Sequence, residues 1–282
     1  MFKKLFIAFQ YLLPQRLLTR LAGWVGECRW LWLKNSLISH FIRRYQVDLS
    51  LAVYENRADY PTFNAFFTRA LKPSARPIHP EKSVLINPVD GCISQIGRLK
   101  KNSLLQAKGC YYTLNALLGS PHPTTSSPFE DGYFATFYLA PKDYHRVHLP
   151  LSGHLIQTTY IPGTLFSVNL LAAEKIPQLF TRNERLVCIF ETVAGPMAVV
   201  LIGAMLVGKI QTVWGLVERS KKIITRHYSD KEALYLAKGS EVGRFLMGSS
   251  VIVLFGKDKI QWLPGLQEQS VVQMGQALGS VL

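Results

Sequence analysis

Residues 185–207, RLVCIFETVAGPMAVVLIGAMLV, decide the fold class. They form two apolar runs, RLVCIFE and MAVVLIGAMLV, separated by glycine and proline, which is typical of two buried strands joined by a turn. The uncharged stretch 192–208 is shorter than the roughly 20 residues of a membrane-spanning helix, and it contains Pro196 and three glycines. We therefore expect buried strands here.

The same pattern recurs on both sides of this segment. Short apolar or alternating runs also occur at 84–87, 92–99, 133–140, 154–161, 209–217, 251–255 and 259–263. Before the proline-rich segment 71–82 the pattern is helical: amphipathic stretches are followed by a short helix over 64–72, which Thr62 can cap. YTLNALLG (112–119) predicts another short helix. The sequence thus predicts an α+β protein, with amino-terminal amphipathic helices over 1–72 and a β-rich domain of mostly antiparallel sheets over 73–282.

The charge of the chain favours an anionic partner. Its 282 residues carry a net charge of +14, and only 18% of them are charged. Residues 1–46 hold eight basic side chains against Glu27 alone, with three of the five tryptophans. Cationic residues among Trp, Phe and Leu at helical spacing are typical of a helix lying on an anionic membrane, although a basic helical pair packed on the rest of the chain gives the same pattern. No helix-turn-helix, zinc-finger or ribonucleoprotein signature supports nucleic acid as the partner.

The amino-terminal segment and the cysteines indicate where in the cell the protein acts. MFKKLFIAFQYLLPQ (1–15) has the basic start and apolar run of an export signal but no small residues suited to cleavage, so we expect it to be retained. The four cysteines form no CxxC pair, which predicts neither a zinc site nor a disulfide framework and fits a reducing, cytoplasmic side.

Three segments combine residues able to do chemistry. Asp90-Gly91 makes a tight turn in NPVDGCISQIG (87–97), and LAPKDYHRVHLP (139–150) places Asp143, His145 and His148 within six residues. The two histidines could form a metal pair, although no third ligand is evident, or an acid/base pair, or simply lie in a solvated loop. The third segment, GSEVGRFLMGSSVIVLF (239–255), contains Gly-Ser-Ser before an apolar run and is by itself an ordinary entry into a strand.

Taken together, these segments resemble the phosphatidylserine decarboxylases. The PxDG turn of that family matches residues 88–91, its YHRVH run matches 144–148, and its self-processing motif Leu-Gly-Ser-Thr is similar to Met247-Gly248-Ser249-Ser250. Met247 and Ser250 depart from the family pattern but keep its size and polarity. The resemblance extends over nearly the whole chain, through LTRLAGW (18–24), TFNAFFTR (62–69), LLQAKG (104–109), PGTLFSVN (162–169), RNERLVCIFET (182–192) and VGRFLMGS (242–249).

The resemblance implies a cofactor made from the chain itself. The Ser249 hydroxyl would attack the carbonyl of Gly248, and the resulting ester would break by elimination, giving a large chain, 1–248, and a small chain, 249–282, that begins with a pyruvoyl group. By the same resemblance Asp90, His148 and Ser249 form the processing triad, and no metal takes part. We expect His145 to reprotonate the substrate carbon, Asp143 to orient His145 or its loop, and Ser167 to contact the lipid headgroup.

The implied reaction converts phosphatidylserine to phosphatidylethanolamine and CO2 through a Schiff base with the pyruvoyl group. Two alternatives stay open on the sequence alone: a processing-dead peripheral protein that only binds lipid, and a pyruvoyl decarboxylase of a soluble amino acid. The expected assembly is a heterodimer of the two cleaved chains, and the family suggests a homodimer of these. The expected location is peripheral, on the cytoplasmic side of the inner membrane.

Overall fold

A computed structural model describes residues 2–107, 109–119, 126–205, 210–217, 219–229, 232–246 and 249–282. The α-helices of these residues are α1 (Phe2–Leu12), α2 (Gln15–Gly26), α3 (Leu31–Tyr45), α4 (Phe63–Phe67), α5 (Leu114–Leu118), α6 (Leu170–Lys175) and α7 (Leu179–Arg182), and short 3-10 helices cover Arg57–Asp59 and Ser127–Phe129. Helices thus dominate the amino-terminal quarter, as the sequence predicts.

Strands dominate the rest of the chain. They are β1 (Val84–Ile86), β2 (Gly91–Arg98), β3 (Ser103–Ala107), β4 (Cys110–Thr113), β5 (Tyr133–Leu139), β6 (Arg146–His148), β7 (Gly153–Ile161), β8 (Arg185–Thr192), β9 (Gly195–Ile202), β10 (Ile210–Thr212), β11 (Gly215–Leu216), β12 (Ile224–His227), β13 (Tyr235–Leu236), β14 (Glu241–Phe245), β15 (Ser249–Phe255), β16 (Ile260–Trp262), β17 (Val271–Val272) and β18 (Ala277–Val281). The α+β class is confirmed.

The main sheet has nine strands in the order β12-β7-β8-β9-β15-β5-β2-β17, with β13 paired to β7. Strands β8 and β9 form the antiparallel hairpin expected for 185–207, and Gly195 at its turn has a φ of +76°. Strand β15 lies between β9 and β5, and every residue from Ser249 to Phe255 is buried. Burial on both faces explains why these strands read as continuous apolar runs.

The smaller sheets bring the motif segments together. Strand β6, which ends at His148, pairs with β14, so the histidine segment runs beside the chain that leads to Ser249. The other small sheets are β1-β18-β16, which packs the carboxyl terminus on the strand before Asp90, and the hairpin β3-β4. All the strand pairs in the described residues are antiparallel.

Several predicted element bounds are wrong. Helix α4 begins after Thr62, whose side chain accepts from the Ala65 N–H as predicted, but it ends at Phe67 because the following residues turn extended and Leu71 bridges to Ala52. The predicted strand 209–217 is split into β10 and β11, which pair with each other. Helices α6 and α7, of 6 and 4 residues, lie in segments for which the sequence analysis predicts no helix.

The amino-terminal helices have their own small core and an exposed apolar surface. Ile38 on α3 packs with aromatic residues of α4, among them Phe66, which is fully buried. Lys34 is buried as well, and its ammonium donates to the carbonyls of Ala58 and Tyr60, so it is not the surface cation that the sequence suggests. None of the helices in the described part of the chain is long and apolar enough to cross a bilayer.

Candidate active site

Ser249 begins the central strand and lines a cavity. It pairs with Leu139 of β5, it is 0% exposed, and its hydroxyl has no hydrogen-bond partner among the described residues. The cavity has a volume of about 190 Å³, and Ser167 lines it too. Met247 and Gly248, the other half of the predicted cleavage motif, lie outside the described residues. The structure therefore brings Ser249 and Ser167 to one cavity.

His148 is held in one tautomer by a backbone carbonyl. Its Nδ1 lies 2.7 Å from the Gly239 oxygen, which can only accept, so Nδ1 carries the proton. The Tyr144 hydroxyl lies 3.0 Å from Nε2 and therefore donates to it. Burial raises the pKa of Tyr144 to about 12 and lowers the pKa of His148 below its usual value. The ring is thus a neutral imidazole whose Nε2 lone pair accepts from Tyr144, so this hydroxyl must release Nε2 before the ring can act as a base.

Asp90 is held by an arginine instead of a histidine. The Arg76 guanidinium makes a bidentate ion pair with it, with Nε 2.9 Å from Oδ1 and Nη2 2.5 Å from Oδ2, and this bonding raises the pKa of Arg76. The backbone N–H of Met274 also donates to Oδ1, at 2.9 Å. No hydrogen bond joins Asp90 to His148 in the described residues, but the His148 N–H donates to the Pro88 carbonyl at 2.8 Å, which places the two residues on neighbouring segments.

His145 is fully buried and stacked on an aromatic ring. Its ring centroid lies 4.1 Å from that of Phe67, with an angle of 23° between the planes. Burial, together with the nearby positive charge of Arg69, lowers the pKa of His145 to about 3. Its carbonyl accepts from the Phe245 N–H at the end of β14, so His145 is opposite the residue that lies four positions before Ser249. The ring is neutral in this state.

Asp143 closes the loop that carries His145. Its Oδ2 accepts from the Ala140 N–H at 2.7 Å, and its own N–H donates to the Ala140 carbonyl at 2.9 Å. Burial raises the pKa of Asp143, and the charge of Asp90 acts in the same direction. The buried Arg69 guanidinium also holds the loop, by donating to the Lys142 carbonyl at 2.8 Å. Of the two expected roles for Asp143, the contacts support orienting the loop.

The loop that carries Ser167 is tied to the amino-terminal helices. The Ser167 N–H donates to Gln10 Oε1 and the Leu165 N–H donates to Gln15 Oε1, both at 2.7 Å. Gln10 is 1% exposed, so α1 is anchored to this loop by a buried polar contact. The sequence offers one signal for this, a glutamine within an otherwise apolar and basic helix.

The sequence reasoning missed most of the partners of the expected residues. Arg76 lies in the proline-rich segment, where an arginine has no helix or strand pattern to mark it. Gly239 contributes only a backbone carbonyl, which no side-chain motif can reveal. Tyr144 can be recognised from the sequence, because it begins the YHRVH run. Its spacing of four residues from His148 puts both side chains on one face of an extended chain.

Comparisons with known proteins identify the family of the chain. The family model described as phosphatidylserine decarboxylase matches residues 63–280, and a second model, described as PSD, matches residues 5–46. A phosphatidylserine decarboxylase proenzyme of Pseudomonas fluorescens is 51% identical over 98% of this chain and 97% of its own length. The proenzymes of Pseudomonas putida and Ectopseudomonas mendocina are 50% and 51% identical, over 98% and 99% of this chain and 98% of their own length. The chain belongs to the phosphatidylserine decarboxylase family.

Proposed function

We propose that this protein decarboxylates phosphatidylserine to phosphatidylethanolamine and CO2, using a pyruvoyl group that it makes from Ser249. The observation that carries the proposal is the buried hydroxyl of Ser249, which lies at the wall of a cavity and has no hydrogen-bond partner in the described part of the chain. A buried hydroxyl without a partner is unfavourable, and it is free to attack the preceding carbonyl. The residues present therefore fit the group.

Processing needs a base for the Ser249 proton, and we assign this role to His148. As the hydroxyl oxygen bonds to the Gly248 carbonyl carbon, its proton passes to Nε2, and the C–N bond then breaks to give an ester and a free amine. Loss of the Ser249 Cα proton together with the Cβ–O bond releases chain 1–248 with a carboxylate end. The enamine left at residue 249 becomes an imine, which water hydrolyses to the ketone and ammonia. We assign Asp90 an electrostatic part, since its negative charge favours a protonated His148.

A pyruvoyl ketone at position 249 would supply the electron sink for decarboxylation, by condensing with the substrate amine. The cavity of about 190 Å³ admits a polar headgroup and leaves the acyl chains outside. We assign the headgroup contact to Ser167, which shares that cavity, and the support of the loop to Asp143. We assign to His145 the return of a proton to the substrate carbon. Since its ring is neutral here, His145 would have to gain a proton after cleavage to do so.

The exposed surface of α1–α3 supports docking on an anionic membrane. Trp24, Trp30 and Trp32 are 78%, 66% and 70% exposed, beside the exposed Arg16 and Arg20. A substrate with two acyl chains needs such an interface, and this argues against a soluble amino acid as the substrate. We propose a peripheral location on the cytoplasmic side of the inner membrane, with residues 1–72 as the membrane-associating segment and 73–282 as the catalytic domain.

The cleaved chains should stay together as a heterodimer, because β15, β16, β17 and β18 of the small chain pair with strands of the large chain or with one another. A homodimer of such units is proposed from the family alone. Neither proposal involves nucleic acid.

Electrophoresis under denaturing conditions with intact-mass measurement tests the proposal. Wild type should give two chains, and the small chain should begin with a ketone that reacts with a hydrazide probe. Ser249→Ala should give one uncleaved chain and form no phosphatidylethanolamine. Ser250→Ala is the matched control and should still be cleaved, since Ser250 is also buried on β15 without a hydrogen-bond partner among the described residues but does not line the cavity. A wild-type protein that stays in one piece would instead support the processing-dead lipid-binding alternative.

A further inference from the structure

Two cavities lie beside α2, and the same two arginines line both. The larger, of about 930 Å³, lies between the segment 11–20 and residues 163–166, and the smaller, of about 240 Å³, lies beside Tyr160 and Arg219. Arg16 and Arg20 are four residues apart on α2, so they project from one face of the helix. We call the larger cavity the arginine groove.

Among the described residues no carboxylate lines the arginine groove, and Glu184, which lines the smaller cavity, pairs with Arg219. Arg182 also lines the arginine groove, with its guanidinium 5.4 Å from the Tyr11 ring and 4.8 Å from the Phe166 ring. Arg16 donates to the Gly163 carbonyl and Arg182 to the Tyr11 hydroxyl, both at 3.2 Å, so these partners are neutral. In the described part of the chain, none of the three arginines forms an ion pair. Three converging cations without a carboxylate favour an anionic ligand.

Apolar side chains also line the groove, beside the polar Gln15 and Thr164, and they continue into the exposed surface. Leu13, Pro14, Leu17 and Phe166 line it; Leu17 is 55% exposed, and Leu12, next to Leu13 in the chain, is 80% exposed. A phosphate can therefore reach the arginines while acyl chains remain with the exposed leucines. This combination matches a phospholipid and not a free inorganic ion.

We propose that the arginine groove binds the phosphate of an anionic membrane phospholipid that is not the molecule being decarboxylated. The loop 163–169 separates it from the catalytic cavity: Gly163, Thr164 and Phe166 line the groove, whereas Ser167 lines the cavity with Ser249. The inference rests on the proposed docking of the helices on an anionic membrane. It adds a defined headgroup site to a surface that would otherwise attract lipid only by diffuse charge.

Native mass spectrometry tests the groove without catalysis and without a bilayer. The full chain carrying Ser249→Ala, in a neutral detergent, is titrated with equal amounts of phosphatidylglycerol and phosphatidylcholine. We expect one retained phosphatidylglycerol per chain, in preference to phosphatidylcholine. Since each cation near a lipid surface is worth about 1 kcal/mol, Arg16→Gln with Arg20→Gln should raise the dissociation constant about 30-fold.

The matched control is Arg43→Gln with Arg44→Gln on α3, which removes the same charge from exposed positions outside the groove. It should keep phosphatidylglycerol binding within about twofold of the parent. Equal losses in the two double variants, or equal retention of the two lipids, would overturn the proposal. If the glutamine pair does not fold, Arg16→Lys with Arg20→Lys keeps the charge and should retain the preference, and its loss would also overturn the proposal. Failure of wild-type cleavage would refute the proposed function and leave this result standing.

Discussion

His145 should make the stability of the uncleaved chain depend on pH. Its ring is fully buried, and burial with the charge of Arg69 lowers its pKa to about 3, compared with 6.5 for an ordinary histidine. At pH 5 the folded chain therefore keeps this ring neutral, whereas the unfolded chain binds a proton there. Protonation of this ring in the unfolded chain alone therefore lowers the free energy of unfolding at that pH.

The sign and size of the effect follow from the two pKa values. The contribution to stability is fully present above pH 6.5 and is lost as the pH falls from 6.5 towards 3, because protonation favours the unfolded state. Each pH unit in that interval is worth about 1.4 kcal/mol. Lowering the pH from 7.5 to 5.0 should thus remove about 2 kcal/mol of unfolding free energy through His145 alone.

Urea unfolding at pH 7.5 and 5.0 measures this loss. The parent is the Ser249→Ala chain, because a single uncleaved chain avoids coupling unfolding to dissociation. His145→Gln carries no titrating ring, so it should lose about 2 kcal/mol less than the parent between the two pH values. His227→Gln, on exposed β12, is the control and should behave as the parent does. The same pH dependence in His145→Gln and the parent would refute the burial of a neutral ring.

Three further changes test the site and the central strand. Arg76→Gln leaves the buried Asp90 carboxylate without its bidentate partner and should lower the free energy of unfolding by about 3 kcal/mol, measured by urea unfolding. Adding Asp90→Asn should recover part of this loss, and strictly additive losses would argue against the ion pair. Gly91→Ala would place a Cβ 2.3 Å from the Tyr138 carbonyl oxygen at a φ of +152°, so we expect self-cleavage to be lost. Denaturing electrophoresis measures this, and normal cleavage would contradict the close approach. Leu254→Ala removes a fully buried side chain from β15 and should lower the stability of the folded protein by about 2–5 kcal/mol. Gel filtration should then find the small chain released at a lower denaturant concentration than in wild type, and release at the same concentration would count against the packing of Leu254.

The sheet was largely predictable because its strands are buried on both faces. The runs around Val199 and Val253 are apolar without interruption, and both lie in the centre of the sheet. The short helices were predictable only in part: a threonine cap marks the start of α4 and of α5, whereas α7 is a single turn without a side-chain cap. Lys34 shows a related limit: helical spacing gives its face of α3, but the carbonyls of Ala58 and Tyr60 that bury it come from a distant segment.

The identities of the expected site residues came from motifs, whereas their partners depend on the fold. His148 is 91 residues from Gly239, and Met274, which donates to Asp90, lies 184 residues further along the chain. A backbone group at that separation leaves no mark in the sequence. For the same reason the motifs could suggest a carboxylate as the partner that fixes the tautomer of His148, whereas a carbonyl takes that position in the structure.

The position of β15 has a consequence for the life of the enzyme. A catalytic group formed at the first residue of a strand clamped between β9 and β5 cannot diffuse away or be swapped for a fresh one, unlike a vitamin-derived coenzyme. Each molecule would therefore receive its reactive end once, and damage to that end would retire the whole polypeptide. The supply of active catalyst in the cell would follow the rate of protein synthesis and not the concentration of any small metabolite.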